Sequence, residues 1–393
     1  MRMIMLNNEF PPLGGGTGTV NRALLQRFAS MPDLSIDLVT SALGTHPEQA
    51  PFADNSTIYK VPVNNRNLHH SSNRELLTYA ARALRLAITL HAARQYDFCF
   101  AWSAVPAGGV ALALHHLTGI PYLVRVCGPD IPGFEQRYAV LYPVLTPVIQ
   151  AIWRHAVRVV AKCEREAQMI QAVDAQIEPV LVPNGVDLDA FQPASASADR
   201  MYGPLRLLCV ARLIERKGQH HLIQAVKRLT DAGYAIELEL VGTGDAQAQY
   251  EGLAQRLGIA QHVHFAGYVP REEIGERYAQ AHVFVLPSYN EGMSVATLEA
   301  MAAGLALVVT RTGGTDELVL SGINGLTFDW ADIETLTAHL QRLATDRILT
   351  QQMGHASRER AAQFSWDTAA HWYRQLFVQM SRSPAAEQDE VAV

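Results

Sequence analysis

The chain has 393 residues, of which 49% are hydrophobic and 18% charged, and a net charge of −6. At about 100–200 residues per domain that length favours two domains, and the apolar content excludes a largely disordered chain. A pI near 6.2 argues against a dedicated nucleic-acid binder, which carries a strongly basic domain.

Met3–Leu6 is a short apolar run, followed by a glycine-rich loop at Pro11–Thr17 and by apolar residues at helical spacing over Val20–Phe28. Ile36–Val39 reads as a strand and Asn73–Arg94 as a long helix. Phe98–Val124 contains no charged residue, which is enough to span a bilayer. Pro106, Gly108, Gly109, Gly119 and Pro121 divide it, however. Two buried parallel strands around a crossover helix, Val105–Leu117, give the same signal. Arg158–Ala161 and Pro179–Val182 are further strands, and Phe191–Asp199 is small and polar enough to be a linker.

The alternation then restarts. Strands are expected at Leu205–Val210, Ile236–Val241, Val263–Phe265, Val283–Leu286 and Leu307–Thr310. Helices are expected at Gln219–Ala232, Tyr250–Leu257, Ile274–Gln280 and Ser294–Ala303, the last closed by Gly304. A long helix, Trp366–Met380, precedes a polar tail from Ser381 that reads as disordered. Strands alternating with helices imply two α/β, doubly wound, Rossmann-like domains: 1–190, 191–365, and a terminal helix returning to the first. Ligands in such sheets bind outside the carboxyl ends of the strands.

The four cysteines, Cys99, Cys127, Cys163 and Cys209, are far apart and form no CxxC. They read as free thiols of a reducing compartment. With no small-residue cleavage site after Met1–Leu6, a cytoplasmic protein is expected.

The chemistry concentrates in the second half. Arg212 and Lys217 follow the strand Leu205–Val210 and open a helix, where an anion is favoured. Arginine grips a phosphate by a fork and lysine adds a compact charge. Glu291 and Glu299 stand eight residues apart, with Gly292, Met293, Ser294 and Val295 after the first. Amides at a helix start face an anion, and the rise along a helix separates the two carboxylates by on the order of 10 Å. A nucleotide sugar laid across the helix start fits this set: hexose at Glu291, diphosphate at the amides, ribose at Glu299.

At these residues the chain resembles the GT-B retaining glycosyltransferases of family 4, the glycosyl transferases group 1. The resemblance covers nearly the whole chain. It rests on Gly15-Gly16, Val182–Asp187, Arg212 with Lys217-Gly218, Val241–Gly244, Phe265–Gly267, Glu291–Ala303, Thr312–Gly314 and Gly322–Leu326. It implies two Rossmann-like domains facing a central cleft. It implies that Arg212 and Lys217 bind the donor diphosphate, that Glu291 holds donor-sugar hydroxyls, and that Glu299 binds the ribose. Gly292 and the amides of Met293, Ser294 and Val295 would lie near the diphosphate and sugar, and Gly242 joins the donor-binding positions. Tyr268 and Val269 would contact the base, and Gly15 and Gly16 would close over the phosphates. Ser294 replaces the proline or glycine common in relatives. No cofactor and no metal are implied, since two fixed cations and a helix start can neutralise a leaving phosphate. The Asp187-Leu-Asp189 pair falls where the family has a structural aspartate.

One departure stands out. Many relatives carry His-Gly-x-Asp after a strand of the first domain, and here Cys127 replaces that histidine. A thiol cannot supply imidazole proton chemistry at neutral pH. Glu9, Arg125, Cys127 and Asp130 are the acceptor-side candidates, with the Asn64–Ser72 loop and Ile131–Tyr142 as walls. The uncharged run Tyr138–Trp153, kinked by Pro143 and Pro147, suits either the core or a lipid-linked acceptor. Arg74, Arg82, Arg85 and Arg94 suit either a solvated face or peripheral contact with an anionic membrane.

The expectation is therefore a retaining, metal-independent transferase. It moves a hexose from a nucleotide diphosphate sugar, with UDP as the expected carrier, to a glycan, lipid-linked or small-molecule acceptor. A nucleotide-sugar epimerase or hydrolase, and a catalytically silent nucleotide-sugar binder, stay open as alternatives.

Overall fold

The structure is a computed structural model that describes residues 1–65, 67, 71–194 and 202–381. It forms two compact units, Met1–Pro183 with the chain from Trp366 onward, and Asn184–Ser365. The first passage between units falls at Pro183/Asn184, before the expected boundary at 190/191. The reason is that the following segment is held by the second unit: Arg358 donates to the carbonyls of Leu188 at 3.0 Å and Phe191 at 2.8 Å. Phe191, expected to open a linker, is buried. The rest of that linker from residue 195, the terminal tail from residue 382, and residues 66 and 68–70 of the expected acceptor loop lie outside the described residues.

The first unit carries an eight-stranded sheet of β1 (Arg2–Leu6), β2 (Ser35–Ala42), β3 (Glu48–Ala53), β4 (Ser56–Pro62), β5 (Phe98–Trp102), β6 (Tyr122–Arg125), β7 (Arg158–Ala161) and β8 (Val180–Leu181). Its order is β3-β4-β2-β1-β5-β6-β7-β8, parallel except for the antiparallel β3–β4 edge. Its helices are α1 (Gly16–Ala29), α2 (Asn73–Arg94), α3 (Gly109–Thr118), α4 (Tyr142–His155), α5 (Glu164–Val173) and the terminal helix, α13 (Trp366–Ser381). The uncharged run resolves into β5, α3 and β6, with every residue of both strands buried, as a sheet covered on both faces requires. Among the described residues no helix is long and apolar enough to cross a membrane. Helix α3 starts later than expected. Val105 is extended (φ −129°, ψ 126°), and Pro106 has no N–H to carry a helix through.

Aromatic packing holds α13 in this unit. Phe377 lies 5.2 Å from Phe28 of α1 and 5.1 Å from Phe98 of β5, ring centre to ring centre. Helix α2 begins with a capping box between Ser72 and Glu75. Its arginines do not form one solvated face. Arg94 pairs with the buried Asp37 at 2.8 Å and Arg82 donates to the Pro62 carbonyl, while Arg74 and Arg85 are exposed. Helix α4 turns Ile149, Ile152 and Trp153 into the core and leaves Val144 and Val148 exposed.

The second unit carries β9 (Leu205–Val210), β10 (Ile236–Val241), β11 (Val263–Gly267), β12 (Val283–Leu286), β13 (Ala306–Thr310) and β14 (Gly325–Phe328). The sheet is parallel throughout, in the order β11-β10-β9-β12-β13-β14. Its helices are α6 (Gln219–Asp231), α7 (Gln247–Arg256), α8 (Arg271–Gln280), α9 (Val295–Ala302), α10 (Thr315–Leu318), α11 (Ile333–Thr345) and α12 (Arg347–Ala361). Strand order reverses between β9 and β12, and in such sheets ligands bind in the crevice outside the carboxyl ends of the strands at that point.

Candidate functional site

The loop after β9 is pinned to the loop after β10. Leu213 N donates to Thr243 O at 2.9 Å, and Leu213 O accepts from Ala246 N at 2.9 Å. This close approach needs glycine at 242: φ is +129°, and a Cβ would lie 2.2 Å from the Ala211 carbonyl oxygen. Gly242 thus serves the loop's shape. Arg212, on that loop, is half-buried, and its carbonyl accepts from the Gln219 side chain at 2.9 Å.

Lys217 ends a short turn, Glu215–Lys217. Gly218 follows at φ +71°, where a Cβ would lie 2.0 Å from the Pro287 carbonyl oxygen. Only glycine lets the β9 loop abut the β12 loop this tightly, and the abutment brings Lys217 to Glu291. Their side chains form an ion pair, 13% and 16% exposed. Burial opposes ionisation of Glu291, but the Lys217 charge outweighs it and holds the carboxyl below its usual range.

Glu291 leads through Gly292 into α9, and this start is anchored from below. Asn184 donates its side-chain amide to the Met293 carbonyl at 2.9 Å, and its backbone N–H lies 3.2 Å from the Met293 sulfur. Ser294 is the N-cap, with its hydroxyl accepting from Thr297 N at 3.2 Å. The residue that departs from the family's proline or glycine therefore spends its side chain on the helix. A small pocket beside it is lined by Glu291, Ser294, Thr310, Thr312, Gly313 and Gly314. Val295 is the first helical residue.

Glu299 lies inside α9, 5% exposed. Arg271 meets one of its oxygens at 2.7 Å and the Tyr278 hydroxyl donates to the other at 2.9 Å. Neither partner was foreseen in the sequence. The signal was faint: both lie on α8, just beyond the Tyr268-Val269 loop. Tyr268 is 70% exposed and Val269 half-buried. Arg212, Lys217, Glu291, Gly292, Met293, Ser294, Val295, Glu299 and the Tyr268-Val269 loop all belong to the carboxyl edge of one sheet.

The first unit holds the remaining candidates. Gly15 and Gly16 are exposed at the start of α1, which has no side-chain cap. The Gly15 amide points to the Glu9 carboxylate at 3.4 Å. Arg125 and Asp130, expected on the acceptor side, are instead turned inward. The Arg125 guanidinium lies 4.7 Å above the Trp102 ring and the residue is 2% exposed. Asp130 accepts from Ala104 N at 2.5 Å and Cys127 N at 2.7 Å, so both its oxygens brace the backbone. Cys127 is half-buried. Burial, with Asp130 nearby, pushes its thiol up to about 12, which keeps it protonated at neutral pH. Sequence reasoning missed the buried Lys162–Glu166 pair, 2.5 Å apart; its one signal was the four-residue helical spacing. Asp187 accepts from the amides of Asp189 and Ala190 at 3.1 and 3.2 Å, a turn-forming role. Among the described residues no three His, Cys, Asp or Glu side chains are grouped to hold a metal.

Two family models divide the chain between them: a glycosyl transferase 4-like domain over residues 15–185 and glycosyl transferases group 1 over residues 197–360. The chain belongs to the GT-B glycosyltransferase family of the group 1, family 4 type. It is similar to the GDP-mannose-dependent alpha-(1-6)-phosphatidylinositol monomannoside mannosyltransferase of Mycolicibacterium smegmatis, 35% identical over 202 residues, which cover 48% of this chain and 53% of that protein. It is also similar to the D-inositol 3-phosphate glycosyltransferase of Corynebacterium jeikeium, 33% identical over 61% of each chain. The match thus spans little more than half the length of these curated relatives. Among solved structures, sucrose-phosphate synthase from Thermosynechococcus elongatus superposes with a TM-score of 0.83 at 23% identity, covering 97% of this GT-B chain and 99% of that one. Anabaena HepE in complex with UDP and glucose gives 0.76 at 18% identity, covering 96% and 99%. These likenesses establish the GT-B fold.

Proposed function

We propose that the chain is a glycosyltransferase that moves a hexose-type sugar from a nucleoside diphosphate carrier to an acceptor hydroxyl, with retained configuration and no metal ion. The observation that carries this reading is the Lys217–Glu291 pair, formed between the loops after β9 and β12 beside the start of α9. A cation, an acid and a helix start in one crevice suit a phosphate-linked sugar. The names of relatives supply two carriers, GDP in the mannosyltransferase and UDP in the HepE complex.

In this mechanism Arg212 and Lys217 take the growing negative charge of the leaving diphosphate, and preorganised charge of this kind lowers the barrier without reorganisation. The bond from the anomeric carbon to the diphosphate oxygen breaks. A bond to the acceptor oxygen forms on the same face, and the acceptor proton passes to the departing diphosphate. Glu291 holds sugar hydroxyls and Glu299 the ribose. The protein supplies position and charge rather than a nucleophile. Cys127, protonated at neutral pH, takes no proton. Glu9 belongs to the first unit, where the acceptor is proposed to bind, and Gly15 and Gly16 keep the donor-phosphate role that the resemblance implies.

The test is product analysis with UDP- and GDP-hexoses, with and without acceptor sugars, in the presence of a chelator. Transfer with retained configuration supports the reading, with turnover at least about a hundredfold lower in Arg212→Ala, Lys217→Ala and Glu291→Ala. Conversion of the donor sugar to its epimer without acceptor, or activity abolished by the chelator, contradicts it.

A further inference from the structure

Glu299 is not a bare carboxylate awaiting a ligand. Arg271 Nη1 lies 2.7 Å from its Oε1 and the Tyr278 hydroxyl donates to its Oε2 at 2.9 Å. Tyr278 is fully buried and its hydroxyl also lies 3.3 Å from the Ala296 carbonyl. The Arg271 guanidinium is 5.6 Å from the centre of the Phe191 ring, and that ring meets Tyr278 edge-on at 5.4 Å. Phe191 is held in turn by Arg358 through its carbonyl. Arginine and tyrosine therefore hold one acid, and the Phe191 ring packs against both of them.

We propose that Arg271 and Tyr278 are positioning residues for nucleoside recognition, which fix the Glu299 carboxylate so that its remaining lone pairs accept the ribose hydroxyls of a nucleoside diphosphate. The inference rests on the functional reading above. A carboxylate offers about four lone-pair sites, and two donors leave room for two hydroxyls. Arg271 also cancels a charge that would otherwise repel a diphosphate bound on the same helix start. A neutral tyrosine is the right second partner, because burial and the adjacent Glu299 raise its pKa well above the usual phenol range. It donates and never competes as an anion. Arg271 is the more exposed of the two, its side chain 42% exposed, and it begins α8 directly after the loop that carries Tyr268 and Val269. It therefore links the segment expected to meet the base to the acid expected to meet the ribose.

The test compares UDP, GDP and ADP with their 2′-deoxy counterparts by calorimetry, on the wild-type chain and on Arg271→Gln and Tyr278→Phe. For the wild type, loss of the 2′-hydroxyl is expected to weaken binding about tenfold or more, the size of a lost hydrogen bond to a charged group. In the variants the ribose form is expected to weaken while the 2′-deoxy form changes little, so the ratio falls toward one. In turnover the donor KM is expected to rise with kcat nearly unchanged. A merely structural role would weaken both nucleotides equally. If the wild type discriminates and the ratio is unchanged in both variants, this inference is overturned and the functional reading stands. If the wild type binds none of the three diphosphates, the functional reading falls and this inference with it. Arg271→Gln alters a half-exposed side chain, so the comparison survives even if Tyr278→Phe fails to fold.

Discussion

The Lys217 ammonium and the Glu291 carboxylate, 74 positions apart in the chain, form a direct ion pair. Neither residue is on a strand or a long helix. Each is carried by a loop whose path is set by backbone contact at Gly218 and Pro287. The pair joins the two loops that leave the sheet where its strand order reverses. It is mostly buried, so removing one partner strands the other charge, a loss of about 3–5 kcal/mol when a pair is fully buried and less here.

A double substitution separates stability from activity. Lys217→Met alone is expected to lower the urea midpoint and abolish turnover. Adding Glu291→Gln is expected to recover much of the stability, because no lone charge is left, and none of the turnover. Urea melts and initial rates on the four chains of this cycle measure both effects.

The pH dependence follows from the same pair. Glu291 is held below the usual glutamate value of 4.5 in the folded chain. A depressed carboxylate contributes stability that is fully present above its unfolded value and is lost as pH falls through the folded one. The stability that wild type has over Glu291→Gln is therefore expected to be constant above about pH 5.5 and to shrink only below about pH 4.5. Denaturant melts of both chains across that range check it.

The start of α9 has two distinct supports. Ser294→Ala removes an N-cap and is expected to cost about 1 kcal/mol, and Ser294→Gly only a few tenths, both with little change in donor KM. Asn184→Ala removes the donor to a buried carbonyl and is expected to cost about 1–3 kcal/mol, with a raised donor KM because the Met293 backbone shifts. Urea melts with donor titrations distinguish the two.

Cys127 is expected to behave as a neutral side chain. Its thiol, pushed up to about 12, is protonated throughout the working range, so iodoacetamide at about pH 8 should leave it unmodified in the folded protein. Turnover should show no step in the histidine range that changes on Cys127→Ala. Mass spectrometry and a rate profile from about pH 6 to 9 test both statements.

Much of the architecture was legible because parallel strands covered on both faces read as unbroken apolar runs, such as Phe98–Trp102 and Val283–Leu286. The β3 strand was not, since Glu48–Ala53 has no buried residue and gives no alternation to read. Lys217 and Glu291 were legible as types at strand ends. Arg271 and Tyr278 were not, because what makes them matter is a contact with Glu299 across 28 and 21 residues of chain. Arg125 and Asp130 misled for a related reason. Charge in a strand-end segment suggests a ligand, but here one side chain lies on the Trp102 ring and the other binds two backbone amides. Phe191 misled through its neighbours, a small polar run that outweighed one aromatic residue.

Fixed positive charge at the edge of the second sheet is proposed to grip a diphosphate, and calorimetric titration of UDP, GDP, uridine and guanosine into the wild-type chain and into Lys217→Met reads that grip. The wild type is expected to bind at least one diphosphate far more tightly than its nucleoside, with rising salt weakening this preference, and Lys217→Met is expected to lose most of it while nucleoside affinity is unchanged. Equal diphosphate affinity in the two folded chains, or no preference for a diphosphate in the wild type, rules the grip out.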